Sequence, residues 1–359
     1  SPLPWCFLTL RVANSCWPVQ RFRKPWPNLK SDFATSAGTS VWKKSDLRKA
    51  EVENLHTKPS AMARWTPDQM PSPAGLRVVV TGSNTGIGYE AARLFAQAGA
   101  DVTLACRNME KAEAAIQRIR ESTQHGSLEA RHLDLADLES VTAFANGFLS
   151  AHDRLDRLVL NAGLMVPPLG RTVQGFEQQF GVNHLGHFAL TCHLHPLLFQ
   201  TEGSRVTSVT SVAGDVGRMW WDDPNWESMR YVRWQAYGQS KLANQLFIRG
   251  LAARVPYDTT LAHPGWSRTR LQRHSIGATL GNVVLRPFNM SAERGSWPTL
   301  RAAMEPDAAP AAYFGAKGLT QLAGPPKLRR HARRARKDED VERLWALSER
   351  LTGQHLAPT

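Results

Sequence analysis

From Leu76 onward the chain alternates between two periods. Short apolar runs rich in β-branched residues are each followed by a longer segment whose apolar positions recur every three or four residues. These are the signatures of buried strands and amphipathic helices. The pattern predicts strands at 76–81, 101–105, 128–133, 155–160, 205–210 and 259–262, and a short one near 311–314. Helices are predicted at 87–98, 108–122, 137–151, 174–199 and 234–253. A C-terminal helix at 338–353 would place Val341, Leu344, Trp345, Leu347 and Leu351 on one side, to pack on the body. Strands alternating with helices predict an α/β fold: one doubly wound parallel sheet with helices on both faces. Two stretches break the rhythm. One is 214–233, with Trp220, Trp221 and Trp226 and with Trp234 just after; the other is 266–297. Both follow the carboxyl ends of predicted strands, where open sheets bind ligands, so they are expected to wall or cover a pocket for a bulky apolar molecule.

Composition divides the chain into a body and two tails. The 359 residues, 42% of them apolar, suit one large α/β domain. The net charge of +13 is concentrated: residues 1–62 hold 10 Lys/Arg against 4 Asp/Glu, and residues 327–337 hold 7 against none. The remainder is balanced, which argues against a nucleic-acid-binding body. Residues 1–62 are rich in Ser, Thr, Pro and Trp and show no sustained period. They read as a disordered, dispensable extension, with a transit peptide or sequence upstream of a start at Met62 as alternatives. The expected domain is 63–326, followed by a basic segment and helix at 327–359. The basic run itself is expected to be a solvated tail or the exposed side of a helix. No apolar run reaches the roughly 18 residues that span a bilayer. Cys6, Cys16, Cys106 and Cys192 show neither paired nor metal-like spacing, which fits a reducing compartment without disulfides. A cytoplasmic location is expected, or a chloroplast or mitochondrion if 1–62 is a transit peptide.

The chemistry begins where the first strand ends. Val78-Val79-Val80-Thr81 stops at Gly82-Ser83-Asn84-Thr85-Gly86-Ile87-Gly88, which runs straight into a helical pattern. Unpaired N–H groups at a helix N-terminus favour an anion, and glycines let the backbone approach it, so this turn is a phosphate site. Its spacing, Gly82-x-x-x-Gly86-x-Gly88, differs from the common G-x-G-x-x-G fingerprint of Rossmann-type sheets, although the physics is shared. The second strand ends in Cys106-Arg107-Asn108. The guanidinium fork of Arg107 matches a ribose 2′-phosphate, whereas Asp101 lies at the wrong end of that strand to hold a 2′-hydroxyl; NADP(H) is therefore expected over NAD(H). Tyr237 and Lys241 are four apart and share a helix face. A lysine cation together with a nicotinamide cation would favour the phenolate and let Tyr237 exchange a proton near neutral pH. His184, His187, His193 and His195 lack distant converging ligands, so no metal is expected. The chain has no Gly-x-Ser-x-Gly elbow of a serine hydrolase.

Taken with Asn161-Ala162-Gly163 and Ser211, these motifs resemble the short-chain dehydrogenase/reductase family, in the same order, over about residues 76–325. Asn183-His-Leu-Gly-His-Phe188, Tyr237-Gly-Gln-Ser-Lys241 and His263-Pro-Gly265 are similar to the branch that holds retinol dehydrogenases and WW-domain oxidoreductases. No WW module is visible. The resemblance implies that Ser211 holds the substrate oxygen, that Tyr237 is the general acid or base, that Lys241 lowers the Tyr237 pKa and holds the nicotinamide ribose, and that Asn183 carries a proton-relaying water. It implies a pyrophosphate wrapped by Gly82, Ser83, Asn84, Gly86, Ile87 and Gly88, and a 2′-phosphate at Arg107. Asp134 would hold the adenine, Asn161 would support the cofactor, and Thr269 would meet the nicotinamide amide. Asn108, Leu135, Ala162, Gly163, Pro264 and Gly265 join the cofactor site as neighbours of these. Thr210-Ser211 stands where the family often has two serines, so Thr210 is the candidate if the register is off by one. Trp266 replaces a residue that is usually small and aliphatic. The implied activity is hydride transfer between NADP(H) and the carbonyl or alcohol of a retinoid, steroid, fatty aldehyde or ketone. Alternatives are a ring C=C reductase of the protochlorophyllide reductase type and a non-catalytic NADP-binding regulatory protein. Family resemblance also suggests a homodimer paired through the long helices.

Overall fold

The structure, a computed structural model, describes residues 65–265, 290–316 and 324–358. The N-terminal segment 1–62, most of the 266–297 stretch and Thr269 lie outside the described residues. Among the described residues, eight strands form one sheet: β1 (Arg77–Thr81), β2 (Asp101–Cys106), β3 (Leu128–His132), β4 (Arg157–Leu160), β5 (Arg205–Val209), β6 (Asp258–His263), β7 (Ala312–Ala316) and β8 (Pro326–Arg329). Their order is β3-β2-β1-β4-β5-β6-β7-β8; the first seven run parallel and β8 pairs antiparallel with β7. Val78, Val79 and Val80 are fully buried on both faces of β1, which is why this run is continuous rather than alternating. The chain crosses from β1 to β2 and β3, then returns to β4 on the other side of β1. The crevice above the carboxyl ends of β1 and β4 is thus the switch point where such sheets take ligands.

The helices include α1 (Gly86–Gln97), α2 (Met109–Arg120), α3 (Leu138–Ala151), α4 (Gly186–Gln200), α5 (Val212–Val216), α6 (Arg233–Ala252) and α7 (Ala292–Met304) between strands, and α8 (Asp338–Thr352) after the last. Side-chain caps fix several starts: Asn108 accepts from the Lys111 amide, Asp137 from Glu139 and Ser291 from Arg294. The long helix expected over 174–199 is instead broken. A single turn at Gln178–Phe180 passes through a π-helical turn at Gly181–Leu185 before α4 begins. Two apolar layers sandwich the sheet. One gathers Phe95, Ala91 and Ile119 of α1 and α2 with Leu300 of α7; the other gathers Phe144, Phe148, Phe188, Leu246 and Phe247.

Two expectations change. A helix, α7, starts inside the stretch read as a loop and crosses from Ser291 back to the sheet. The basic run is not simply a solvated tail: Lys327, Leu328 and Arg329 belong to β8, and His331, Ala332 and Ala335 are buried. α8 packs on the face that α4 and α6 share. Trp345 of α8 stands edge-on to Phe188, with ring centroids 5.1 Å apart, and stacks on Phe247 at 6.1 Å. Gly250 of α6 is where it fits closest, since a Cβ there would lie 2.9 Å from the Trp345 ring. The amphipathic α8 itself is where the pattern placed it, with three acids in its first turn and Gly353 at φ 66° closing its end.

Candidate active site

The glycine turn folds as its spacing requires. Gly82 and Gly86 have φ of 66° and 64°. The Gly82 amide donates to Ala105 O at 2.8 Å, tying the turn to β2. A Cβ on Gly82 would stand 2.9 Å from Ala162, and one on Gly88 would stand 2.7 Å from the Gly82 carbonyl. These are the close passages of strand end, turn and helix that only glycine allows. The turn opens onto a cavity of about 720 Å³ that runs along the carboxyl edge of the sheet. Gly82, Asn84, Thr85, Ile87 and Gly88 line it. Ser83 does not: its side chain is buried, and its hydroxyl donates back to Val80 O at 2.8 Å, with Cys106 Sγ at 3.7 Å. What Ser83 contributes is the shape of the turn.

At one end of the cavity lie Arg107, Asn108, Asp134 and Leu135. Arg107 is exposed and extends from the end of β2. Asn108 spends its side-chain oxygen on the Lys111 amide at 2.8 Å, so its part is to start α2. That start brings Lys111 to the same cavity, a second cation one helical turn from Arg107, which motif matching alone passes over. Its signal was the i,i+4 spacing of two cations across a helix start. Asp134 Oδ1 accepts the Ala136 amide at 2.9 Å. Asn161, Ala162 and Gly163 line the middle, and Asn161 Nδ2 donates to Thr81 O at 2.8 Å.

At the other end Ser211, Tyr237, Lys241, His263, Pro264 and Gly265 come together. Ser211 caps α5, accepting from the Ala213 amide at 3.3 Å, and hydrogen-bonds the Tyr237 phenol. Thr210 also lines the cavity but donates its hydroxyl to Lys241 O at 2.7 Å, whereas the Ser211 hydroxyl lies beside the Tyr237 phenol. Lys241 Nζ donates to Val209 O at 3.1 Å and stands 5.9 Å from the Tyr237 ring centre. Loss of water pushes Tyr237 up to about 12, opposed by the Ser211 hydrogen bond, and pushes Lys241 down to about 8. Burial by itself favours the phenol form of Tyr237; the lowering expected from Lys241 is tied to a nicotinamide cation beside it. Asn183 does not line the cavity. It sits in the π-helical turn, where Oδ1 accepts the Leu164 amide at 2.7 Å and Nδ2 donates to Leu164 O at 3.0 Å and Ser240 Oγ at 2.9 Å. Gly163 separates it from Lys241: a Cβ there would meet Asn183 Oδ1 at 3.1 Å and Lys241 Nζ at 3.4 Å.

The rim is apolar. Val216, 81% exposed, and Trp234, 49% exposed, flank the opening beside Leu164, Met165 and Val182. Trp234 stands edge-on to Tyr237 with ring centres 6.1 Å apart. The other tryptophans expected in the wall turn away. Trp220 packs on Trp226 at 5.7 Å and Trp226 on Tyr231 at 5.6 Å, a knot that closes the loop on itself. His184 and His187 are buried and face different partners; among the described residues no group of acids, histidines and cysteines is placed to hold a metal.

The sequence profile described as short chain dehydrogenase matches residues 77–223. Retinol dehydrogenase 13 of Homo sapiens is 40% identical over 288 residues, which span 78% of this chain and 85% of that protein. Retinol dehydrogenase 12 of Homo sapiens is 41% identical over 286 residues, 78% of this chain and 87% of that one. An uncharacterized protein from Mycobacterium paratuberculosis, known from its crystal structure, matches with a TM-score of 0.69 at 40% identity, covering 82% of this chain and 100% of its own. Pseudomonas aeruginosa RhlG in complex with NADP matches with a TM-score of 0.53 at 26% identity, covering 65% and 91%. Relatives this similar over more than three quarters of its length place the protein: it belongs to the short-chain dehydrogenase family of oxidoreductases, in its retinol dehydrogenase-like branch.

Proposed function

We propose that the protein transfers hydride between NADP(H) and the carbonyl or hydroxyl carbon of a bulky apolar substrate, with a retinoid or long-chain aldehyde as the first class to try. One observation carries the reading. A single cavity joins Arg107 and Lys111 at one end to Ser211, Tyr237 and Lys241 at the other, with the glycine turn between them. The residues fit the cofactor. The open N-terminus of α1 suits a pyrophosphate, Arg107 and Lys111 supply two cations for a 2′-phosphate, and Ala105, Leu133 and Leu135 give apolar contact for an adenine. When bound, the nicotinamide supplies or accepts the hydride.

The chain's own residues manage the oxygen and its proton. Ser211, fixed as the cap of α5, is placed to hydrogen-bond the substrate oxygen. Tyr237 gives a proton to that oxygen during reduction and takes one back during oxidation. Its phenol is held protonated by burial, so reduction starts from the form that the protein prefers. Lys241, buried and anchored on Val209 O, supplies positive charge beside the phenol and is placed to hold a ribose hydroxyl. Trp234 and Val216 form an apolar opening that would cover a long hydrocarbon substrate and keep water from the oxygen. Identity with two retinol dehydrogenases supports the substrate class, and the RhlG complex supports the cofactor.

The test is oxidation of NADPH followed by absorbance with all-trans-retinal, medium-chain aldehydes and cyclic ketones, each repeated with NADH. Tyr237→Phe should lose about 100-fold or more in kcat, the scale of one general acid, while keeping NADPH affinity. No turnover of any substrate by the wild type, or full turnover by Tyr237→Phe, would overturn the reading.

A further inference from the structure

His187 lies in the first turn of α4, outside the cavity and 1% exposed. Both ring nitrogens are engaged. Nδ1 is 3.1 Å from the Asn183 carbonyl and Nε2 is 2.9 Å from Thr81 Oγ1. A carbonyl only accepts, so Nδ1 carries the hydrogen; Nε2 then accepts, and the Thr81 hydroxyl donates to it. The same Thr81 oxygen accepts the backbone amides of Asn161 and Ala162, each at 2.9 Å. The Val159 carbonyl, 3.4 Å from the same Thr81 oxygen, is the longer and weaker acceptor for that hydroxyl, so the 2.9 Å contact to Nε2 takes its hydrogen. The imidazole is neutral, and burial keeps it so by pushing its pKa down to about 3.

We propose that His187 is a positioning residue that holds the cofactor cradle and the catalytic helix in register. The path is continuous. The amides of Asn161 and Ala162, which line the cavity at the end of β4, bind Thr81 at the end of β1. Thr81 binds His187, and His187 binds the carbonyl of Asn183 in the π-helical turn. Asn183 Nδ2 donates to Ser240 Oγ, and Ser240 donates to Tyr237 O at 2.8 Å. Asn183 thus stands on the catalytic side of the path and Thr81 on the cofactor side, with one imidazole between them. A hydrophobic side chain of similar size would fill the space and leave the Asn183 carbonyl and the Thr81 hydroxyl without each other. The bridge ties the backbone of the π-helical turn at Asn183, whose side chain is held separately by Leu164 and Ser240.

This inference rests on the oxidoreductase reading, and three substitutions separate it from simple packing. His187→Asn places a donor near the position of Nδ1 and so keeps the bond to Asn183 while losing Thr81. His187→Gln reaches toward Thr81 and loses Asn183. His187→Leu loses both. NADPH affinity is measured by quenching of tryptophan fluorescence, kcat and KM with all-trans-retinal, and amide exchange over 181–187 with and without NADPH. His187→Leu should lower kcat on the order of 100-fold, as displacements of about 1 Å do, with the retinal KM nearly unchanged. His187→Asn should recover most of kcat but keep a weakened NADPH affinity; His187→Gln should do the reverse. In the wild type NADPH should slow exchange over 181–187, and His187→Leu should abolish that response with NADPH still bound. A wild type that binds NADPH but does not reduce retinal would sink the substrate reading alone, and the exchange experiment would still decide the role of His187. Three variants with wild-type kcat, affinity and exchange response would overturn the proposal. So would parallel losses in all three that merely track their melting temperatures.

Discussion

Tyr237 and Lys241 share a helix face and a dry environment, yet burial moves them in opposite senses: it keeps the phenol protonated and makes the ammonium easier to deprotonate. At the far end of the cavity Arg107 and Lys111 stay exposed, which suits a doubly charged 2′-phosphate. Replacing both with Ala should weaken NADPH binding by about 10- to 100-fold, as expected for hydrogen bonds to charged groups, and leave NADH unaffected. Melting-temperature shifts with each cofactor check this; equal losses for both would remove the pair from that role. His184 offers a test by pH. It is buried among Phe180, Phe188 and Phe247, and its pKa is pushed down to about 3 by loss of water and by His187. The unfolded chain takes up a proton near pH 6.5 that the folded chain refuses, so its contribution is whole above pH 6.5 and is lost as pH falls toward 3. His184→Phe keeps the aromatic contacts, and Ser348 still donates to Leu344 O. The urea midpoint should drop between pH 7 and pH 5 less in this variant than in the wild type; an equal drop would mean that the acid sensitivity lies elsewhere.

Among the elements, α5 and α6 meet at a point with no spare room. A Cβ on Gly214 would stand 2.7 Å from the Lys241 carbonyl carbon and oxygen. Gly214→Ala must therefore move α5, which carries Ser211, away from α6, which carries Tyr237. A stability loss of about 1–3 kcal/mol is expected from overpacking, with a larger fall in kcat than in NADPH affinity; calorimetry and steady-state kinetics would show it, and unchanged values would mean that the contact relaxes freely. Most elements were readable because β1 is a continuous apolar run, the other core strands are short and rich in β-branched residues, and α2 and α3 open on side-chain caps. The glycine turn, Ser211, Tyr237 and Lys241 were readable because their chemistry depends on spacing along one strand end or one helix turn. What escaped is what depends on partners far apart in the chain. The π-helical turn has the composition of ordinary helix. The inward turn of Ser83 depends on Val80 and Cys106, and the closed knot of Trp220, Trp226 and Tyr231 depends on ring geometry. The burial of His331, Ala332 and Ala335 inside a run of cations depends on a neighbouring strand.

At the scale of the whole molecule, α8 covers the apolar face that α4 and α6 share. A stop after Lys337 would remove Trp345 and bare Phe188, Phe247 and the side of His184. Loss of that one tryptophan contact alone should cost about 3–5 kcal/mol, a large part of the roughly 5–15 kcal/mol that holds a domain together. The truncated chain should aggregate or associate, whereas the full chain should run as a monomer in light scattering at micromolar concentration; a stable full-length dimer would mean that pairing uses another face. Deleting residues 1–61 should leave the melting temperature unchanged, because their Ser-, Pro- and cation-rich sequence has no sustained apolar period with which to add to the core. Loss of the fold on that deletion would show the extension to be part of it.

The two outer strands of the sheet add a consequence of their own. β8 opens with a proline and continues through Lys327 and Arg329, and β3 carries Glu129, Arg131 and His132. A parallel sheet of seven strands is a growing template, and any strand that docks on either side would lengthen it. Here an incoming strand meets a proline and cations at one margin, and at the other charged side chains engaged within the fold, Arg131 on Glu129 at 3.0 Å. Each margin acts as a chain stopper, so the basic segment that looks like surplus charge in the sequence marks where the sheet ends and keeps a crowded solution of these molecules from zipping together.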